Sequence, residues 1–250
     1  MRSTRAARYA AAVDAADDPS ELTIDDGGAP IRVLVRRNPR ARRISLRADA
    51  RSGGVVLVLP PRAGLSTAIG FARSQAGWIR RHLSRLPPPA PFADGVSVAL
   101  FGEQIVVRHE TALRGPARRD ADVLRVGGRP EFLARRVRDF LRAEARRTLA
   151  ALATEKAAKL GLRISALRVA DTRSRWGSCA RGGRLSFSWR LAMAPREVAD
   201  YVVAHEVAHL AHHDHGAAFW RLVDRLTPHR VHATAWLRRH GAGLLRAGAA

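Results

Sequence analysis

Residues 204–220 read AHEVAHLAHHDHGAAFW, and within them His205, Glu206 and His209 make an HExxH motif. The apolar YVVA run at 201–204 and Gly216 beyond the motif predict a helix that can end near Gly216. Four residues span a little more than one helical turn, so His205 and His209 share a face with Cβ atoms ~5–6 Å apart. Two imidazole nitrogens can then meet at one zinc ion, each ~2.0–2.1 Å away. Glu206 is displaced by one position and flanks that point. It can reach a zinc-bound water without being a ligand, as a general base must.

A catalytic zinc takes three protein ligands and keeps one position open. His212, His213 and His215 are the candidates for the third. His212 shares the face but stands two turns from His205, ~10 Å along the axis. His213 points away by roughly a quarter turn relative to His209. His215 follows Asp214 and precedes Gly216, where a turn can swing it back over the metal. The expected ligand set is therefore His205, His209 and His215.

Outward from this stretch, the chain after Pro195 reads as helical to its end, broken near Gly216 and Pro228. The segments LRISALRVAD and GRLSFSWRLAM read as strands around the connection RSRWGSCARGG. Before them, residues 131–160 carry Leu133, Val137, Phe140 or Leu141, Ala145, Leu149 and Leu152 at helical spacing. Pro130 opens this helix and Gly161 closes it. Further upstream, IRVLVRR, RRISLRA and GGVVLVLPP read as a three-stranded antiparallel meander over 31–60. A helix from Leu65 ends in the prolines after 86. Two more short strands follow, VSVALFG and QIVVRHE, with a hairpin turn at Gly102-Glu103. A further strand is expected over 122–126. No internal repeat is visible.

The expected fold class is α+β: an antiparallel β-rich N-terminal part followed by a mainly helical catalytic domain. Its expected divisions are a loose tail over 1–29, a β-rich domain with one helix over 30–128, and a catalytic domain over 129–245. The crossover falls at Gly127, Gly128 and Pro130, where a strand period gives way to a helix period.

Length and composition bound the rest. At 250 residues and 46% hydrophobic, the chain can bury a core without staples. The single Cys179 excludes a disulfide framework and a Cys-rich zinc knuckle. No run approaches the ~18 apolar residues of a membrane span. Asp14, Asp17 and Asp18 break the first apolar stretch, which is no secretory h-region, so a cytoplasmic location is expected. Oligomeric state is left open by the sequence.

The formal charge of +22 points to a polyanion partner, but composition weakens that reading. Only Lys156 and Lys159 among the 44 basic residues are lysines, and Asn38 is the only asparagine. This is the pattern of a GC-rich coding bias. Arginine pairs such as Arg36-Arg37, Arg80-Arg81 and Arg146-Arg147 are spread along the chain. Aromatics, at 6%, do not interleave with them as a stacking platform requires. Weak, non-specific, salt-sensitive nucleic-acid binding is expected.

The segments RSRWGSC at 173–179, SWRLAMAP and YVVAHEVAHLAHHDHGAAFW together resemble the YgjP-like metallopeptidases, relatives of the SprT-like and Wss-like zincins. Those proteins use HExxH, five intervening residues, and a third His followed shortly by Phe-Trp. The resemblance runs from about 130 to 245, and the strands at 31–60 also resemble that family's N-terminal part. It implies Zn2+ on His205, His209 and His215 and Glu206 as the catalytic glutamate. His212, His213, His229 and His232 depart from the pattern and are assigned no role.

Three residues are expected to meet substrate. Arg175 would hold an anionic group or a developing oxyanion. Ser186 and Ser188, or their alternates Leu185 and Phe187, would line a cleft if their strand is an edge that receives an extended peptide. Trp176 is expected to plug the core beneath the motif helix, Gly177 to allow a tight turn, and Cys179 to fill a small apolar space. The function these features favour is a zinc-dependent metallopeptidase acting on polypeptide. The alternatives are a metal-dependent hydrolase of nucleotide phosphoanhydrides and a DNA-associated protease.

Overall fold

The computed structural model describes residues 21–24, 30–49, 53–172 and 174–249. In chain order the first elements are β1 (Glu21–Ile24), β2 (Ile31–Arg37), β3 (Ser45–Asp49), β4 (Gly54–Leu59), α1 (Leu65–Ser74) and α2 (Ala76–Leu83). Alternation in β2 puts Ile31, Val33 and Val35 on the buried face, as period-2 patterning requires. The strands are not the expected meander. They lie in the order β1-β2-β4-β3, with β2 parallel to β4 and β3 antiparallel to it. Leu57 on β4 therefore stands between Val35 and Leu46. Alternation says which side chains face the core but not which strand is the neighbour. The near-continuous apolar run of β4 takes a central place, and the arginine-bearing β3 takes the edge. A second correction concerns β1, which lies inside the stretch read as a loose tail. Ile24 pairs with Ile31 and is buried in the same core. The expected single helix is two, separated at Gln75.

The next elements are β5 (Ser97–Leu100), β6 (Glu103–Glu110), β7 (Arg118–Asp120), β8 (Val123–Gly127) and the long α3 (Leu133–Lys159). The hairpin turn falls on Phe101-Gly102, one residue before the expected pair, with φ of 49° and 95°. Positive φ at both central residues gives the twist that tight hairpins favour. This sheet has the order β5-β6-β8-β7, again with its two central strands parallel. It repeats the arrangement of the first sheet without repeating its sequence, which is why no repeat was legible.

The chain ends in β9 (Ala166–Ala170), β10 (Gly177–Cys179), β11 (Arg184–Ser188), α4 (Arg196–Ala208), α5 (Ala217–Leu226) and α6 (Arg230–Arg246). The segment after β11 is not a continued strand. Trp189–Met193 forms a buried 3₁₀ turn, with the Trp189 indole and the Arg190 guanidinium both donating to Asp171. The third sheet has the order β10-β11-β9.

The described residues form two compact units, one ending at Arg85 and the other beginning at Leu86. The division is not at 128/129. Val98, Leu100, Ile105, Val107, Leu124 and Val126 of the second sheet share one core with α3, α4 and α5, so that sheet belongs with the helices. Leu133, Val137, Leu141, Ala145 and Leu149 form the buried stripe of α3. At its end Lys156 is buried, paired with Asp200 of α4 at 2.7 Å, and donates to the Leu226 carbonyl at 2.8 Å. That one ammonium fastens α3 to α4 and to the end of α5. Sheets and helices are segregated in the way an α+β fold requires. Among the described residues no helix is long and apolar enough to cross a membrane.

Candidate active site

Helix α4 is buried through Val198, Ala199, Val202, Val203 and Val207, and its last turn carries the HExxH residues. His209 caps the helix with φ −67° and ψ −13°, so it keeps helical direction and shares a face with His205. Their ring centroids are 5.0 Å apart. The chain then turns. Asp214 accepts the Gly216 N–H at 3.0 Å, and Gly216, extended at ψ 179°, starts α5. This turn returns His215 to the other two rings, 5.1 Å from His205 and 4.8 Å from His209. One ligand atom from each of the three histidines lies within 4.8 Å of the others.

The chemistry of these nitrogens suits a cation. His209 Nδ1 sits 2.8 Å from the His212 carbonyl, which can only accept, so Nδ1 carries the proton and Nε2 keeps its lone pair. The Nε2 atoms of His205 and His215 face each other at 3.2 Å. Burial, and then its two neighbours, push His205 down to about 4. Burial also lowers His209. Neutral imidazoles result, which is the form a metal needs. Phe219, fully buried, stacks on His209 at 4.5 Å, and Trp220 stands 5.8 Å from His205. These rings of the first turn of α5 wall the cluster and hold the imidazoles in place.

Glu206 is only 6% exposed and points at β10. Burial pushes its carboxyl up to about 7, against the opposing pull of the Arg175 charge and the Cys179 backbone N–H. Gly177 explains how the carboxylate fits. A Cβ there would lie 2.5 Å from Glu206 Cγ and 2.6 Å from Oε1. The glycine lies within a strand, so its role is close approach and not the tight turn expected of it.

The structure thus brings together His205, Glu206, His209, His215 and the exposed Arg175. It does not bring in His212, whose side chain lines a separate groove with Leu160 and Arg221, nor the exposed His213 and His232. Trp176 is half-buried against the core, close to Gly241 of α6. Burial, and then Glu206, push the Cys179 thiol up, which disfavours a nucleophilic thiolate.

Ser186 and Ser188 must be corrected. Strand β11 is the central strand of its sheet, parallel to β9 on one side and antiparallel to β10 on the other. Ser186 is 7% exposed and accepts a hydrogen bond from Arg168, and Ser188 is fully buried. Neither lines a cleft, and β11 has no edge to offer. The cradle for Glu206, made by Gly177 and the Cys179 N–H, was missed. Gly177 lay in the stretch read as a connection, where the structure instead forms strand β10, so the sequence carried no signal of it beyond the glycine itself.

An α+β fold with HExxH residues on one helix, and a third histidine returned to them beyond a turn, makes a three-imidazole site of the kind that can hold a divalent metal. The family model for the YgjP-like metallopeptidase domain matches residues 42–240, and the chain belongs to that family. A search of curated proteins and a search of solved structures each gave no match. Membership makes the protein a metal-dependent peptidase in kind, with a divalent metal and a polypeptide substrate implied.

Proposed function

We propose that the protein is a zinc-dependent peptidase in which His205, His209 and His215 hold the metal and Glu206 is the general base. The observation that carries this reading is the convergence of three imidazole nitrogens within 4.8 Å beside a buried carboxyl. Three imidazoles suit zinc among the common divalent metals. A zinc ion held there by His205, His209 and His215 would supply Lewis acidity toward a carbonyl oxygen and would lower the pKa of a water molecule to about 7. Glu206 takes the proton from the attacking water and passes it to the leaving amine nitrogen. In the metal-free chain its carboxyl is pushed up to about 7, and a cation held by the histidines would draw it back toward the ionised form that a base needs. Arg175 sits where its charge is felt at Glu206 and would hold the carbonyl oxygen as negative charge develops. The outer edge of β10 replaces β11 as the place where an extended substrate would add.

The test is a side-by-side assay of zinc-loaded protein on unfolded polypeptide and on nucleoside triphosphate, with Glu206→Gln as control. Peptide hydrolysis that needs zinc and Glu206, without phosphate release, is expected. Phosphate release without peptide cleavage would replace the peptidase reading with the phosphoanhydride one.

A further inference from the structure

The two four-stranded sheets share one strand order but differ at corresponding edges. Edge strand β7 has three residues, all exposed and charged, with Arg119 paired to Glu103 and Asp120 to Arg125. Such an edge is protected against pairing. Edge strand β3 in the first unit is longer, less densely charged, and has no further strand beside it among the described residues, and Leu46 on it is half-buried beside the core. Past β3 the layer between sheet and helices stays open as a groove of about 400 Å³. Ile44 and Leu46 form one wall, and Phe71, Gln75 and Trp78 form the other. Trp78 is 38% exposed, one of few large apolar side chains so placed among the described residues.

The two faces of β3 carry opposite chemistry. Leu46 packs toward the helices, opposite the buried Leu57. Strand alternation puts Arg47 on the other face, and it is exposed. Arg43 lines the groove mouth. Among the described residues no carboxylate pairs with Arg43 or Arg47. A strand laid against β3 would therefore meet an apolar pocket with Arg43 at its mouth on one side, and the exposed Arg47 guanidinium, two residues from Asp49, on the other.

We propose that the first unit is a docking module that takes an extended acidic peptide by strand addition to β3. Alternate apolar residues of the peptide enter the groove over Leu46, Phe71 and Trp78, an intervening carboxylate meets Arg47 on the other face, and a carboxylate at the groove mouth meets Arg43. Main-chain hydrogen bonds to β3 provide affinity, and the pocket and charges select the pattern. A nucleic acid would satisfy the arginines, but it would leave the main-chain edge and the aliphatic wall unused.

The test uses the full chain carrying Glu206→Gln, to avoid cleavage. The probe is a fluorescein-labelled ten-residue peptide of alternating Val and Glu, followed by anisotropy. The double variant Arg43→Glu/Arg47→Glu, and Trp78→Ala separately, should each weaken binding about tenfold or more. Trp78→Phe should retain it, and melting curves check that each variant is folded. N-methylation of alternate peptide amides in one register should abolish binding, and in the other register should leave it nearly unchanged. Binding indifferent to both registers, or to the groove variants, would overturn strand addition at β3. So would no detectable binding, or arginine-dependent binding of a single-stranded oligonucleotide in place of the peptide.

Discussion

Replacing Glu206 by Gln should make the metal-free protein more stable at alkaline pH. In the folded chain the carboxyl is pushed from 4.5 to about 7, first by burial. Its folded pKa lies above its unfolded one, so the stability it contributes is full below pH ~4.5 and is lost as pH rises through about 7. Above that point, ionising the buried group costs roughly 3 kcal/mol, the free energy equivalent of the displacement. Glutamine never ionises, and its amide oxygen can still accept the Cys179 N–H. His205 titrates in both proteins and cancels in the comparison. Chelator-treated parent and variant are unfolded in urea at several pH values, following tryptophan emission. Four of the five tryptophans, Trp176, Trp189, Trp220 and Trp236, lie in the unit that holds the site. The variant should lead by roughly 3 kcal/mol at pH 8, and the gap should close toward pH ~4.5. Added zinc should narrow the lead at pH 8, because a nearby cation favours the carboxylate. A gap that is absent at pH 8, or constant with pH, would refute the burial argument.

Further outcomes follow from the same geometry. Gly177→Ala should keep zinc but lose turnover by about tenfold or more, because its Cβ would displace Glu206; metal content and activity measured together check this. His215→Ala should lose stoichiometric zinc while His212→Ala keeps it, by elemental analysis of the purified variants. Lys156→Ala should destabilise the second unit by about 3–5 kcal/mol, because it leaves Asp200 and the Leu226 carbonyl without their cation; Lys156→Met with Asp200→Leu should recover most of that, read by urea unfolding. DNA should bind weakly and release steeply as salt rises, without changing the hydrolytic rate, as titration into the activity assay would show.

Much of the fold's vocabulary was legible because it is local. The period of Leu133 to Leu152 predicted α3, with Pro130 at its start and Gly161 beyond its end. The alternation of Ile31, Val33 and Val35 predicted the buried face of β2. The spacing of His205 and His209 placed both on one helix face. The turn signal at Asp214 and Gly216 placed His215 near them, since a side-chain cap to a backbone N–H is a property of adjacent residues.

What stayed illegible depends on partners distant in the chain. Pairing β2 with β4, and not with β3, leaves every strand's alternation unchanged, so no pattern along the chain distinguishes the two sheets. The same holds for β11: RLSFS reads alike as an edge or a central strand, and only β9 and β10 on its two sides bury Ser186 and Ser188. The sequence by itself determined the helix, the histidine spacing and the residue beside them that can move a proton. Only tertiary structure decided that Gly177, twenty-nine residues earlier, gives Glu206 its space, and that burial raises its carboxyl. A side chain's chemistry is carried by its own residue, whereas its solvation is set by whatever the fold packs around it.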